Sequence, residues 1–443
     1  MIKVKEYKSR RRSFMNQMGK NAIAIIPAAK EATRSRDTQY TFRQDSDFGY
    51  LTGFPETEAT AVLVPGRPQG EFILFCRDKN LQKEIWDGYR EGPAGARENY
   101  GADDAFPIED MDDILPGLIE GREKVFFSVA KHPDLDKQLY QWLKHIRAQS
   151  RTGASAPGEI VDPDHLLHEM RLIKSASELK VMRNAAKISA QAHCRAMQAA
   201  RPGMHEYELQ AEIEYHFARE GAIAPAYNSI VGSGANACIL HYTENRKKME
   251  DGDLVLIDAG AEYLGYAADI TRTFPVNGRF SPEQRAIYEI VLDAQEAAID
   301  ACRPGSRFNE PHEESVRVIT KGLKNLGLLE GRVDSLIKKR AYFDFYMHRA
   351  GHWIGMDVHD VGEYKVDGSD SAWREFEAGM VTTIEPGIYI QPDNKNVDKK
   401  WRGIGIRIED DILIRKDGNE VLTGGVPKTV EEIEALMTQE LVA

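Results

Sequence analysis

The sequence predicts a two-domain α/β chain, and three observations carry that reading. Its 443 residues exceed one ordinary domain. Its composition, 42% hydrophobic and 29% charged, provides sizeable apolar cores under a charged surface. Its second part repeats its own helix stops and strand patterns in the same order. We place the boundary near Ile173, giving domains 1–173 and 174–443.

The first domain mixes short strands and helices. Residues 21–27 (NAIAIIP), 61–65 (AVLVP), 71–76 (EFILFC) and 124–129 read as buried strands bounded by turn residues. Residues 134–146 have helical spacing instead. Leu135, Leu139, Trp142, Leu143 and Ile146 share one face, and Asp134 after Pro133 reads as the N-cap. The small, polar run 150–157 (SRTGASAP) reads as a loop.

The second domain opens on a capping box, 175–178 (SASE), which starts a helix running to about Ala200. That helix stops at Arg201-Pro202-Gly203, and a later one stops at Arg303-Pro304-Gly305; each stop is followed by another helical stretch. The strands correspond too. Residues 252–260 (GDLVLIDAG) match 379–387 (GMVTTIEPG): an apolar run after a glycine turn, ending in a carboxylate with glycine two positions on. A duplicated domain explains both matches better than coincidence does.

The bulk properties exclude several functions. A formal net charge of -12 argues against phosphate backbones and anionic membrane surfaces as partners. Cys76, Cys194, Cys238 and Cys302 form no C-x-x-C pair, so a thiolate zinc site or redox pair has no support. Their separations suit a reducing compartment. Residues 1–12 are basic without an apolar core of secretory length, and no apolar run reaches membrane-spanning length. The expected location is the cytoplasm.

The chemistry gathers around carboxylates. Asp258 ends an apolar strand, where an unpaired buried carboxylate costs on the order of 3 kcal/mol or more. Asp269 follows across a hairpin turn at 262–265, which brings the two side by side. Glu385 and Glu409 stand in the corresponding places of the second copy. In 403–412 (GIGIRIEDDI), Ile404, Ile406 and Ile408 take one strand face, and Arg407 and Glu409 the other. Alone, Glu409 reads as a salt bridge to Arg407, and Asp258 or Asp269 as a turn cap. Between the strands lie His348, His352 and His359, three histidines within twelve positions of a glycine-punctuated stretch. His241 alone reads as a surface histidine. Four carboxylates and one imidazole without thiolate make a hard, oxygen-rich donor set. Two divalent ions balance such charge better than one.

The order Asp258, Asp269, His352, Glu385, Glu409 resembles the metal ligands of the pita-bread metallopeptidases. Within that family the chain is most similar to the bacterial aminopeptidase P group. The likeness runs through 230–234 (IVGSG), 240–245 (LHYTEN), 257–260 (IDAG), 269–274 (DITRTF), 358–362 (VHDVG), 384–387 (IEPG) and 405–410 (GIRIED). It extends into the first domain at 33–35 (TRS), 43–48 (RQDSDF) and 51–54 (LTGF). The polar stretch 365–373 (KVDGSDSAW) departs from it, so no substrate contact is carried over there.

The resemblance implies a pseudo-twofold catalytic domain with a curved antiparallel sheet and flanking helices. It implies two divalent cations, Mn²⁺ first among them, activating a bridging hydroxide. The substrates would be peptides with proline second, and the assembly a homodimer or homotetramer. By resemblance, Asp258, Asp269, His352, Glu385 and Glu409 hold the metals, and Glu385 also shuttles the proton. His241 and His359 bind the scissile carbonyl, His348 lines the proline pocket, and Arg407 orients the ligand carboxylates. Asp37 and Trp86 shape the entrance. The rival readings are a prolidase restricted to Xaa-Pro dipeptides, a metal-free binding protein on the same scaffold, and a metal-free hydrolase.

Overall fold

The structure is a computed structural model describing residues 2–366 and 372–439. Residues 367–371, most of the polar stretch singled out above, lie outside the described residues. The chain divides into two compact units, Met1–Met170 and Arg171–Ala443.

The first unit is built on a six-stranded mixed sheet. Its order is Asp104–Pro107, Phe72–Cys76, Thr60–Leu63, Ala22–Pro27, Lys124–Phe126, Glu159–Val161. Ile23, Ile25, Val62, Ile73 and Phe75 form its core with the helices Met111–Ile119 and Pro133–Ala148. Leu139, Trp142, Leu143 and Ile146 enter that core, as their helical spacing requires.

Three local expectations change. Asp134 is not the N-cap: His132 takes that place without a side-chain bond, because Pro133 occupies the first turn. There the ring's fixed φ and missing N–H cost nothing. Asp134 pairs instead with Lys30 at 2.7 Å. The strand predicted over 124–129 ends at Phe126, since its three-residue partner Glu159–Val161 offers no longer ladder. The loop at 150–157 opens with one 3₁₀ turn, Ser150–Thr152, closed by Gly153 at φ 96°.

The second unit is two similar halves. Each begins with a helix pair: Ala176–Ala199 with Glu206–Arg219, and Pro282–Ala301 with Glu310–Asn325. The Ser175–Glu178 capping box forms with both reciprocal bonds. Gly203 and Gly305, at φ 95° and 84°, take the left-handed conformation that the repeated helix stops require. In the first half Leu254–Asp258 pairs antiparallel with Ile230–Ser233 and Thr271–Pro275; in the second, Asp410–Arg415 pairs with Val381–Ile384 and Gly418–Val421.

Each half then breaks its ladder and resumes it as a short hairpin. Asp258↔Thr271 is the last pair of one ladder, and the hairpin Ala261–Tyr263 with Tyr266–Ala267 follows. Its turn is Leu264–Gly265, both at positive φ (51° and 77°), narrower than the predicted 262–265. In the other half Ile384↔Asp410 closes the ladder, and Gly387–Tyr389 with Gly405–Arg407 follows. The break brings backbones too close for a side chain. A Cβ on Gly260 would overlap the Ala268 carbonyl, and one on Gly387 would meet Tyr389 Oη at 2.5 Å and the Ile406 carbonyl at 2.8 Å. That is why each carboxylate is followed by glycine two residues later.

The halves join where Thr271 and Thr273 lie beside Arg407 and Glu409. Glu409 N donates to the Thr271 carbonyl at 3.0 Å, and Thr273 Oγ1 to the Arg407 carbonyl at 3.0 Å. Arg272 and Asp410, both fully buried, pair across this seam at 2.8 Å.

Gly260→Ala is expected to destabilise the chain by about 2 kcal/mol, the range for forced overpacking. Gly158→Ala, which meets open space, is the control. Equal thermal midpoints for the two variants would show that the ladder break tolerates a side chain.

Candidate metal centre

The two ladder breaks face one cavity of about 480 Å³ in the second unit. Asp258 and Asp269 from the first half line it with Glu385 and Glu409 from the second. Strand alternation aims Asp258: Val255 and Ile257 enter the main core, whereas Leu256 and Asp258 take the opposite face. Ile404, Ile406 and Ile408 likewise fill the core and leave Arg407 and Glu409 to the cavity.

His352 comes from a segment laid along the strand Val381–Ile384. Its N–H donates to Thr383 Oγ1 at 3.0 Å, and its carbonyl accepts from Thr383 N at 2.9 Å. A Cβ on Gly351 would overlap the Thr383 carbonyl, so the glycine permits this approach. His352 Nδ1 donates to the Trp353 carbonyl at 2.9 Å. That commits Nδ1 and turns Nε2 toward the carboxylates, 3.5 Å from Asp269 and 3.7 Å from Glu385, where it can bind a cation once its proton is lost.

Cations and hydroxyls hold the carboxylates in place. Arg407 Nη2 donates to Asp258 at 2.6 Å, and Nη1 to Tyr389 Oη at 3.0 Å. The partner of Arg407 is thus Asp258, in the other half, rather than its strand neighbour Glu409. Thr271 Oγ1 donates to Glu409 at 2.6 Å. Tyr227 Oη lies within hydrogen-bond reach of both Asp258 and Asp269. On the far side of the strand Arg272 donates to five acceptors: Asp410 and the carbonyls of Thr271, Glu409, Val426 and Pro427. Burial works against charge on Asp410, but Arg272 and Lys428 hold its pKa down to about 2.

This arrangement fits divalent cations. Asp269, His352 and Glu409 each bring a ligand atom within 4.8 Å of one another. Burial, then repulsion from Asp269, Glu385 and Asp258, pushes Glu409 far above the carboxylate range. Burial and the Asp258 charge raise Asp269. Burial brings Glu385 to about 7. For His352 burial opposes the proton, but the Asp269 hydrogen bond and the Glu385 charge win and raise it to about 9. So many anionic donors in a buried site call for a positive charge greater than Arg407 supplies.

His241, His348 and His359 also line the cavity. The His359 ring lies edge-on to His352, with centroids 4.4 Å apart. Burial, followed by Arg407, lowers His348 to about 3, so it is neutral. Asp37 and Trp86 belong to the first unit; both are exposed, Trp86 at 87%. Tyr227, Thr271 and Tyr389 were not singled out from sequence. Thr271 and Tyr389 adjoin recognisable strand patterns, but Tyr227 stands in no periodic segment that could have flagged it.

The pKa shifts set a pH signature. Glu385 and His352 both have folded pKa values above their ordinary ones, so each contributes stability at low pH that is lost as pH rises through about 7 and about 9. The metal-free chain is expected to lose stability across that window. Mn²⁺ uptake should release protons and tighten as pH rises, because binding needs both groups deprotonated. Calorimetry in buffers of different ionisation enthalpy measures this; pH-independent uptake without proton release would exclude these ligands.

Comparison with known proteins agrees with the geometry. Residues 180–416 match the model of metallopeptidase family M24, and residues 7–127 match the aminopeptidase P N-terminal domain. The Xaa-Pro aminopeptidase of Escherichia coli K12 is 49% identical over 437 residues, 98% of each chain. The solved structure of Pseudomonas aeruginosa aminopeptidase PepP superposes with a TM-score of 0.97 at 61% identity, covering 99% of this chain and 98% of that one. Zn-substituted E. coli aminopeptidase P in complex with product gives 0.95 at 49% identity, with coverage of 99% and 98%. With four carboxylates and an imidazole lining one cavity and both family models matching in order, the chain belongs to metallopeptidase family M24, in the group that carries an aminopeptidase P N-terminal domain.

Proposed function

We propose that this chain is an Xaa-Pro aminopeptidase, removing the first residue of peptides whose second residue is proline. The observation that carries the reading is the convergence of Asp258, Asp269, His352, Glu385 and Glu409 on one cavity walled by His241 and His359. The relatives named Xaa-Pro aminopeptidase, matched over 98% and 97% of their own length, support the substrate class. We assign the chemistry to residues 174–443.

The five ligands would hold two divalent cations; Mn²⁺ suits an oxygen-rich, thiol-free set. Bound there, the cations would supply Lewis acidity and lower the pKa of a bound water. Glu385, on the cavity wall, can take a proton from the attacking water and deliver it to the proline nitrogen. That delivery matters because the nitrogen of an Xaa-Pro bond carries no hydrogen of its own. His241 and His359 donate to the scissile carbonyl oxygen as it gains charge. Arg407 orients Asp258 through their 2.6 Å ion pair. His348 walls the pocket for the proline ring.

We assign Asp37 and Trp86 to the substrate entrance in a homodimer or homotetramer. Trp86, Leu81, Ile85 and Tyr89 are large apolar side chains exposed within one short segment, which suits contact with another copy. Four free cysteines fit a cytoplasmic setting.

The Mn²⁺-loaded chain should hydrolyse Xaa-Pro-Yaa tripeptides faster than Xaa-Pro dipeptides; a strong dipeptide preference would make it a prolidase. Glu385→Gln should lower kcat by roughly 10²–10⁴-fold, and a near-wild-type rate would reject the proton shuttle. His359→Ala should slow turnover while metal content stays at the wild-type value; lost metal would make His359 a ligand instead.

A further inference from the structure

Among the described residues two arginines line the cavity, and only one of them has a carboxylate partner. Arg407 is committed to Asp258 and Tyr389. Arg349 is exposed on the cavity wall and pairs with no carboxylate among the described residues. Its placement is nonetheless held from two sides. The guanidinium lies over the Trp373 ring, 4.6 Å from its centroid, and the Arg349 carbonyl accepts from His348 Nδ1 at 2.7 Å. Cation–π stacking restrains the side chain while leaving the N–H edge for a ligand.

His348 decides what Arg349 meets. A carbonyl only accepts, so Nδ1 of His348 carries the proton and Nε2 accepts from Tyr389 Oη at 2.9 Å. Both nitrogens are engaged, and the imidazole offers substrate only its ring surface. Such a wall suits the apolar proline ring. Arg349, next in the chain and more exposed, lines the same cavity beside that wall.

Resting on the Xaa-Pro reading, we propose that Arg349 is a substrate-binding residue that recognises the C-terminal carboxylate of short peptides, one residue beyond proline. A planar guanidinium fork matches a carboxylate bidentately. Its exposure keeps the preference modest, because solvent screens such pairs.

The test compares Ala-Pro-Ala as free acid and as C-terminal amide, using the full Mn²⁺-loaded chain. Wild type should favour the acid roughly threefold to fivefold in kcat/KM at low salt, the scale of a partly exposed ion pair, and less as salt is added. R349A should bring the acid-to-amide ratio to about one. R349K, which keeps the charge but loses the fork, should fall between. Metal content and circular dichroism report whether each variant is intact. A wild-type ratio of one, or a preference that survives in R349A, overturns the proposal while the Xaa-Pro reading stands. Failure of wild type to cleave either peptide overturns that reading and the proposal with it.

Discussion

Everything in the second unit serves the crowding of four carboxylates at the meeting point of two broken ladders. Like charges at such distances repel strongly where water is scarce. The structure accepts that repulsion and confines it. Asp258 and Asp269 are held on opposite strands of one break, Glu385 and Glu409 on those of the other. Register sets each pair on one face: Asp258 lies opposite Thr271, two positions from Asp269, and the Ile384–Asp410 pair leads on to Glu385 and Glu409. At each break glycine is the residue that lets the backbones approach.

Rigidity comes from the opposite side of the seam. Arg272 and Asp410 share no atoms with the cavity, yet Arg272 bonds the carbonyls of Thr271 and Glu409 and so sets the spacing of the strands that carry Asp269 and Glu409. Removing one partner of such a buried pair typically costs about 3–5 kcal/mol, because the other charge is left unmatched. The helix Ala176–Ala199 adds a second brace. His193 Nε2 donates to the Ala259 carbonyl at 2.9 Å, and Ser189 Oγ accepts from Ala261 N at 2.9 Å. The segment after Asp258 is thereby pinned one helical turn apart. A third brace holds the histidine segment: Asp360, beside His359, is buried against Arg171 at 2.6 Å and Lys174 at 3.0 Å. The cavity wall is exposed in places, but its supports are buried.

Legibility followed the range of the interactions. The helix Ala176–Ala199 was readable because a capping box and a helix stop are local patterns. The isoleucine alternation at 404–408 was readable because a strand has a period of two. Asp134 was misplaced as a cap because a proline ahead of it competes for the same turn. Arg407 was expected beside Glu409, its neighbour on the strand face, but its guanidinium reaches Asp258 in the other half. Tyr227 escaped because its partners lie 31 and 42 positions away and no periodicity marks it.

By itself, the sequence determined the two-part organisation, the doubled halves and the order of the five donor residues, since spacing, punctuation and side-chain type are all properties of a linear chain. It could not decide which donors share a cavity, which arginine neutralises which carboxylate, or which histidine nitrogen faces the carboxylates. Those outcomes depend on distances across the seam between the halves. They exist only once Thr271 lies against Glu409, with Arg272 closing the gap behind them.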